Sequence, residues 1–323
     1  MLAWGAPEAS GSGVRAIALD ALGAPHGEEV VVATGADAPG NVEDVVATAS
    51  ASRVAVAWIV GAGSSASVRA TVSSAGLDAF APPRALGSSV ASHDGGARGR
   101  LTAWTGSDGV SAIGHRLGDA RCGAVPGSCA RFARTVLGQA AGEGGDALEV
   151  PDPCDSLIVG AAARGTAFFH AVCHGTEAPS TTLYAIDAEV SLASAHEVLA
   201  GCLPLGLAPG ATGVVLSGRC ADGLALVEVG PRGDILANLR AATATVRCEN
   251  GRPILRYAGT GELTLPLGAP VSRIESLLPE TVAAPGARAV WTGEAVLSAH
   301  VSAGEVAVDR FQCELSELVR SFR

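Results

Sequence analysis

The sequence has no lysine, few aromatic residues and no long apolar run. All 22 basic residues are arginine, aromatic residues make up 4% of the 323 positions, and methionine occurs once. Because 48% of the residues are nevertheless hydrophobic and there are 42 glycines, small aliphatic side chains must fill the interior. The missing lysine, beside so much alanine and glycine, indicates a compositional bias of the genome, which we expect to be bacterial.

Two further absences bear on location and partners. No stretch of about 18 apolar residues is present, which excludes a helical membrane span. The start of the chain, Met1 to Gly5, has neither the basic residues nor the apolar stretch of a signal peptide, so we expect a mature domain without its export signal. A net charge of −10 argues against nucleic acid or an anionic membrane as partner.

The eight cysteines include no Cys-x-x-Cys pair, which argues against a metal site. Cys154 and Cys173 lie 19 residues apart and Cys202 and Cys220 lie 18 apart, and the second pair follows the first by 48 and 47 residues. This regular spacing predicts disulfides, and disulfides persist in oxidising compartments. We therefore expect an extracytoplasmic protein, periplasmic, secreted or on the cell surface.

One short apolar run, Arg53 to Trp58, recurs along the chain. An Ala-Trp followed ten residues later by Val-Arg-Ala occurs at Trp4 and again at Trp58, an offset of 54, and apolar runs also end at Trp104 and Trp291. In Arg53 to Trp58 the valines and the tryptophan alternate with alanines, so neither face of the predicted strand is polar. A strand that is apolar on both faces belongs between stacked sheets.

Strands of this kind recur throughout the sequence and are separated by Gly, Asp, Ser and Pro, which is typical of all-β proteins. Within each unit four strands, A to D, can be assigned; in the second unit these lie near residues 42–49, 53–59, 67–73 and 81–86. Seven B strands are spaced by about 48 residues on average, as four short strands and their turns require.

This repeat resembles a β-propeller, although the kelch, WD40 and sialidase-type signatures are missing. The resemblance implies one domain over residues 1–323 with seven four-stranded blades; six blades, a pair of β-sandwiches or a β-solenoid are the alternatives. The first unit has no room for an A strand. We predict that residues 314–322 supply that strand and close the ring, which would remove exposed sheet edges.

The propeller interpretation also assigns the cysteines. Cys154–Cys173 and Cys202–Cys220 are predicted to be cross-strand disulfides, because each pair brackets strands A and B of one unit. Cys122 and Cys129 close a small loop of their own. Cys248 and Cys313 then pair by elimination, unless they are two free thiols.

Candidate chemistry is sparse. His93 and Asp94 could act as an acid/base pair at the mouth of a central channel, but Asp94-Gly95-Gly96 is also an ordinary polar turn. An acidic connection between units three and four could bind calcium or could be a solvated loop; its carboxylates are Glu143, Asp146, Glu149, Asp152 and Asp155. His170 and His174 lie too far apart on a strand to share a metal. We predict no metal, no cofactor and no catalytic residue. The candidate ligand contacts are His93, Asp94, Glu143, Asp146, Glu149 and Asp152.

From a regular repeat without a catalytic constellation we expect a non-enzymatic binding or scaffold propeller that recognises a protein or glycan or joins a surface assembly. The alternative is a carbohydrate-active hydrolase or lyase with acidic residues at the channel mouth. A third possibility is a structural subunit of an oligomer. A cluster of carboxylates, arginine and exposed aromatic side chains would favour the enzyme, whereas a flat face would favour binding.

Overall fold

The computed structural model describes most of the chain, and the strand content follows the repeat. The described residues are 1–8, 11–37, 41–49, 53–61, 66–74, 78–89, 101–105, 110–117, 129–136, 147–151, 157–164, 167–174, 180–186, 192–209, 212–230, 232–260, 262–266, 288–292, 294–314 and 317–320. Within these ranges all regular elements are strands, and no helix long and apolar enough to cross a membrane occurs.

The first half of the described chain forms three antiparallel sheets, in each of which strands consecutive in sequence are neighbours. The first contains β1 (Leu2–Glu8), β2 (Gly11–Ile17) and β3 (Val30–Ala33). The second contains β4 (Val42–Ala49), β5 (Val54–Val60), β6 (Ala66–Val72) and β7 (Arg84–Ser89). The third contains β8 (Leu101–Thr105), β9 (Val110–Leu117), β10 (Cys129–Val136) and β11 (Ala147–Pro151).

The second half forms three more antiparallel sheets. The fourth contains β12 (Leu157–Arg164), β13 (Ala167–His174), β14 (Ser180–Ile186) and β15 (Leu192–Val198). The fifth has six strands: β16 (Leu203–Pro209), β17 (Val214–Cys220), β18 (Gly223–Val229), β19 (Ile235–Glu249), β20 (Arg252–Ala258) and β21 (Glu262–Pro266). The sixth contains β22 (Arg288–Trp291), β23 (Val296–Ser302), β24 (Glu305–Glu314) and β25 (Glu317–Arg320).

The fifth sheet is larger than the others because β19 serves two ladders. Residues 235–242 of this 15-residue strand pair with β18, and residues 243–249 pair with β20. The sheet therefore contains two of the repeat units assigned from sequence, which share one continuous strand. The first strand of the second unit, β4 at Val42–Ala49, has the predicted bounds. The second and third lie one residue from prediction, whereas β7 begins at Arg84, three residues after the predicted start of the fourth strand.

Neighbouring units are stacked through their first strands. β4 lies against both β1 and β8, and β12 lies against both β8 and β16. The β1–β4 approach is close, since a Cβ on Gly5 would stand 3.0 Å from Val42 Cβ. Between β4 and β8, the Leu101 amide donates a hydrogen bond to Asp44 Oδ2 over 3.3 Å.

Trp58 is the bulkiest residue of the packing between the first two sheets. Its side chain has no solvent exposure and contacts an apolar cluster drawn from both sheets. The second sheet contributes Val54, Val56, Trp58 and Val60 on β5, and the first contributes Val14, Ala16, Val32 and Ala33. The alternation of these β5 residues is the one that the sequence predicts, so Trp58 is buried between stacked sheets as expected.

The opposite face of β5 is equally covered. Ala57 and Ile59 pack with Leu101 and Ile113 of the third sheet. A similar apolar cluster joins the fourth and fifth sheets, where Leu183 packs with residues such as Leu216. The second sheet is therefore covered on both faces by its neighbours, which explains why β5 is apolar on both sides.

The sixth sheet contacts the first at two described points. Thr292 Oγ1 donates a hydrogen bond to the Ala21 carbonyl over 2.6 Å, and a Cβ on Gly23 would lie 2.8 Å from Leu297 Cδ2. β25 pairs with β24 through a short hairpin, Phe311 with Arg320 to Glu314 with Glu317. Among the described strands it does not pair with β1, so the closure predicted for residues 314–322 is not observed. The hairpin of β24 and β25 closes a much shorter loop than pairing of β25 with the first sheet would, so its loop-closure entropy cost is smaller.

Two disulfides lie within the described residues. Cys202–Cys220 joins the start of β16 to the end of β17, as predicted from the repeat. Cys248–Cys313 links β19 to β24 across 65 residues, so these cysteines are bonded and are not free thiols. The other two predicted pairs have Cys122 and Cys154 outside the described residues, with Cys129 on β10 and Cys173 on β13.

Replacing Trp58 with alanine should lower the free energy of unfolding by about 3–5 kcal/mol, because it empties the packing between the first two sheets. Denaturant unfolding followed by circular dichroism measures this loss. Val31→Ala on the neighbouring strand β3, at a side chain 43% exposed, is the control and should change stability by no more than about 0.5 kcal/mol. Equal effects of the two substitutions would contradict the stacking described here.

Removing the longer cross-link should cost more than removing the shorter one. In the chain-entropy model the double variant Cys248→Ala, Cys313→Ala loses about 4 kcal/mol, and Cys202→Ala, Cys220→Ala loses about 3 kcal/mol. Unfolding of both variants in denaturant without reductant provides the comparison. A larger loss from the Cys202, Cys220 variant would show that native packing, and not loop closure, dominates.

Candidate functional site

The hairpin of β1 and β2 places an aromatic and two charged side chains on one face of the first sheet. Trp4 is opposite Arg15 in the antiparallel register, and Glu8 is opposite Gly11. Alternation along a strand puts Trp4 and Glu8 on the same face, while Val14 is on the face that packs against the second sheet. The cluster of Trp4, Glu8, Arg15 and Glu29 therefore lies on the side away from that packing; we call it the first-sheet cluster.

Arg15 binds both carboxylates of the first-sheet cluster. Its NH2 group is 2.5 Å from Glu8 Oε1, and its NH1 group is 3.2 Å from Glu29 Oε1. The side chains of Arg15 and Glu8 are 28% and 18% exposed, whereas Glu29 is 46% exposed. One guanidinium thus holds a sheltered carboxylate and an open one side by side.

Backbone groups complete the surroundings of Glu8. The Gly35 amide donates to Glu8 Oε2 over 2.8 Å. Gly35 lies in a turn closed by Thr34 and Asp37, in which the Thr34 hydroxyl donates to Asp37 Oδ2 over 2.8 Å and the Asp37 amide donates to the Thr34 carbonyl over 2.9 Å. Short-range turn chemistry therefore aims an amide at the carboxylate.

Gly13 provides the space that the Glu8 carboxylate occupies. A Cβ at this position would overlap Glu8 Oε1 and would stand 2.7 Å from Glu8 Cδ. No side chain fits there without displacing the carboxylate. The absence of a side chain at Gly13 is thus a requirement of the cluster geometry.

These contacts keep Glu8 ionised. The Gly35 amide, followed by the hydrogen bond from Arg15, lowers the pKa of Glu8 below its ordinary value of 4.5, against a smaller opposing effect of burial. The hydrogen bond to Glu8 in turn raises the pKa of Arg15. Glu8 is consequently a carboxylate at neutral pH, suited to act as a base, a nucleophile or a stabiliser of positive charge.

Trp4 borders the charged groups and is half-buried. Residues directly opposite in an antiparallel pair have Cβ atoms about 4.5–5.5 Å apart, which places the indole beside the Arg15 side chain. A partly open indole next to charged groups presents an apolar surface with polar groups at its edge, as ligands with one apolar face require.

The Trp–Arg pair of the first unit recurs in the second unit, but the two carboxylates of the first-sheet cluster do not. Trp58 is opposite Arg69 in the second sheet, as Trp4 is opposite Arg15 in the first. The same offset of 54 residues leads from Glu8 and Glu29 to an alanine and a proline, at positions 62 and 83. The carboxylates are therefore not part of the repeated packing pattern.

A second polar group lies on the sixth sheet but does not form a catalytic relay. His300 Nδ1 is 3.8 Å from Asp309 Oδ2, and Arg320 also binds Asp309. Ser298, directly opposite Asp309 in the register, is 1% exposed, and its hydroxyl has no hydrogen-bond partner. His300 thus does not activate Ser298, and a substrate cannot reach the buried Ser298 hydroxyl.

The sequence-predicted contacts do not coincide with this cluster. Glu149 is on β11 in the third sheet, opposite Arg131 in the register, and so belongs to a strand and not to a loop. The other predicted contacts lie outside the described residues: His93, Asp94, Glu143, Asp146 and Asp152. Over the part of the chain that is described, no three His, Cys, Asp or Glu side chains form a group able to hold a metal ion.

Sequence reasoning missed the first-sheet cluster, although one signal pointed to it. Val14-Arg15-Ala16 belongs to the repeat with Trp4, but nothing in that repeat marks the arginine as a partner for acidic residues. Glu8 and Glu29 lie 7 and 14 residues from Arg15, and Gly35 is 27 residues from Glu8. Only the strand register brings these groups together.

No protein-family model matches the sequence, and no curated protein sequence matches it. Among solved structures it is similar to prolyl oligopeptidase B from Galerina marginata (9% identity, 96% of this chain and 48% of that chain, TM-score 0.47). It is also similar to the β-propeller domain of the Trilobed protease from Pyrococcus furiosus, described as having an open velcro topology (10% identity, 86% of this chain and 84% of that chain, TM-score 0.44). A third similar structure is Pyrococcus horikoshii acylaminoacyl peptidase (10% identity, 85% of this chain and 46% of that chain, TM-score 0.43).

The chain spans about half the length of the first and third of these peptidases. At such identities and TM-scores the similarity concerns chain path and assigns no activity. Even so, the named neighbours are all peptidases or a peptidase domain, and none is a binding or scaffold protein. The expectation of a non-enzymatic binding or scaffold propeller is therefore not supported by these neighbours. The carboxylates, arginine and half-buried tryptophan of the first-sheet cluster agree with the hydrolase alternative.

The lowered pKa of Glu8 predicts a pH-dependent stability. A carboxylate with a depressed pKa in the folded state stabilises it above the unfolded pKa, near 4.5, and this contribution disappears as pH falls through the folded value. Glu8→Gln should thus melt below the natural protein at pH 7, and the difference should shrink towards pH 3. Thermal melts from pH 7 to pH 3 measure it. Glu305→Gln, at an exposed residue of β24, should follow the natural profile. A Glu8→Gln difference independent of pH would contradict the ionised, amide-bound carboxylate.

Proposed function

We propose that this chain is a seven-bladed β-propeller hydrolase that acts on a glycan at the first-sheet cluster. The observation that carries the proposal is the pair of carboxylates held by one guanidinium beside a partly open tryptophan, at positions where the second unit has no acid. Hydrolysis of glycosidic bonds commonly depends on two carboxyl groups.

The seven blades are supported by the order of contacts. Five sheets plus the six-stranded one, whose β19 serves two ladders, supply seven consecutive units. Contacts between first strands lead from β1 through β4, β8 and β12 to β16. The Cys248–Cys313 disulfide then connects β19 to β24, and Thr292 binds the carbonyl of Ala21 in the first unit. A cyclic order of this kind is the arrangement of blades around a propeller axis.

The two carboxylates suit complementary roles. Because both bind the same guanidinium, at 2.5 and 3.2 Å, the two carboxyl groups lie close together, as hydrolysis by a pair of carboxyl groups requires. Glu8, kept ionised by Gly35 and Arg15, accepts a proton from the attacking water. Glu29, the more exposed carboxylate, stabilises the positive charge that develops on the sugar, and the leaving sugar oxygen takes its proton from solvent. The water oxygen bonds to the anomeric carbon as the glycosidic bond breaks, so that atoms and charge balance.

Trp4 and Arg15 act around this pair. The indole of Trp4 offers a face on which a sugar ring can stack, and its position opposite Arg15 would orient that ring towards the carboxylates. Arg15 is a positioning residue, since its two hydrogen bonds set the separation of the acids.

A second candidate is a peptidase propeller that admits peptides to a catalytic centre elsewhere in a longer protein. The observation that favours it is the contact between the sixth and first sheets, which in the described residues uses the Thr292 side chain and the packing at Gly23, with β25 paired to β24. First and last blades that are not joined by a strand could separate to admit a chain.

A hydrolysis panel distinguishes the two candidates. The purified chain is incubated with neutral and acidic polysaccharides, with reducing ends measured, and with fluorogenic peptides. Glycan turnover that falls at least about 10²-fold in Glu8→Gln and in Glu29→Gln, but not in Glu305→Gln, supports the first-sheet cluster. Glycan turnover unchanged by either substitution, or no turnover of any glycan, overturns the proposal. Because the second candidate places the catalytic centre outside this chain, it predicts that the chain alone hydrolyses neither the glycans nor the peptides. Melting temperatures of all variants separate lost catalysis from lost folding.

A further inference from the structure

The disulfide Cys202–Cys220 is in contact with a cation. The NH1 group of Arg240 donates hydrogen bonds to both sulfur atoms, over 3.2 Å to Cys202 Sγ and 3.0 Å to Cys220 Sγ. A disulfide whose only role is to cross-link two strands gains little from a charged donor, because neutral sulfur is a weak acceptor. A guanidinium in this position interacts far more strongly with a thiolate than with a disulfide.

The fold holds Arg240 in place at the point where β19 passes from one ladder to the next. Leu224 pairs with Ala242 and Leu226 pairs with Leu239, so β19 has one extra residue between these pairs, a β-bulge next to Arg240. A bulge redirects the side chains beside it. The Arg240 backbone is fixed on both sides by Thr260, whose hydroxyl accepts from the Arg240 amide over 3.1 Å and whose amide donates to the Arg240 carbonyl over 3.2 Å.

The two sulfurs differ in access. Cys202 is 1% exposed and belongs to the apolar cluster between the fourth and fifth sheets. Cys220, at the end of β17, is partly exposed and only borders that cluster. Cys220 is therefore more accessible to an attacking thiolate than Cys202. The sulfur that leaves is then that of Cys202, next to the guanidinium.

We propose that Cys202–Cys220 is a thiol-exchange site at which a protein dithiol reduces this chain. One thiolate of the dithiol attacks Cys220 Sγ, the Cys202–Cys220 bond breaks, and Cys202 leaves as a thiolate beside Arg240. The second thiol of the dithiol then attacks the mixed disulfide and releases Cys220. Two electrons pass from the dithiol to the cystine, the dithiol becomes a disulfide, and its two protons end on Cys202 and Cys220.

The exchange site is independent of the proposed hydrolase site. It lies in the fifth sheet, whereas the first-sheet cluster is formed by β1, β2 and the segment before β3. Breaking the bond frees Cys202 within the cluster that packs the fourth sheet against the fifth, which includes Leu207 and Val214. Reduction should accordingly weaken the packing between the fourth and fifth sheets and leave the contacts of Glu8 and Arg15 unchanged.

The second disulfide serves as an internal comparison. The folded chain is treated with thioredoxin kept reduced, and separately with dithiothreitol, and free thiols are alkylated at intervals and located by mass spectrometry. We expect Cys202 and Cys220 to become alkylated at least about tenfold faster than Cys248 and Cys313. Equal rates for the two pairs overturn the proposal.

The role of Arg240 is tested by substitution. Arg240→Gln should reduce the rate of reduction about tenfold and lower the equilibrium constant for reduction by a similar factor, which corresponds to about 30 mV; Arg240→Lys should restore part of both. Arg232→Gln, at an exposed arginine in the turn before β19, is the matched control and should behave like the natural protein. An Arg240→Gln variant with an unchanged melting temperature and an unchanged rate would show that the guanidinium has no part in the exchange.

Discussion

The structure depends on the burial of thin, double-sided apolar strands between neighbouring sheets. β5 shows this most fully, since Trp58 and three valines face the first sheet while Ala57 and Ile59 face the third. Small side chains allow sheets to approach on both sides, and a single large side chain fills the remaining volume of one interface. A unit of four such strands cannot bury both faces alone, so each unit requires its neighbours.

That dependence also governs how the two ends of the chain meet. The sixth sheet is completed by β25 from its own hairpin, and it contacts the first unit through Thr292 and Leu297 instead of a shared strand. The face of the first sheet opposite the second retains Trp4, half-buried, beside charged groups. On this face the first unit does not keep the repeated apolar packing, and carboxylates take its place.

Both functional proposals arise from local departures from the repeat. Glu8 and Glu29 are added to a Trp–Arg pair that the second unit uses only for packing, and Gly13 leaves room for the Glu8 carboxylate. In the fifth sheet, the continuous strand β19 needs a bulge to pass between two ladders, and Arg240 beside that bulge binds a disulfide. The first-sheet cluster and the Cys202–Cys220 site thus both lie where one unit departs from the repeat.

The sequence by itself determined the strand period, the strand positions of the second unit to within about three residues, the burial of Trp58 and the pairing of Cys202 with Cys220. These follow from alternation and spacing within about 20 residues, which a strand translates directly into a face or a neighbour. The tertiary structure alone decided the grouping of Glu8, Arg15, Glu29 and Gly35, the bond between Cys248 and Cys313, and the pairing of β25 with β24. Such contacts depend on register and on the stacking of sheets, and neither leaves a periodic signal in the sequence.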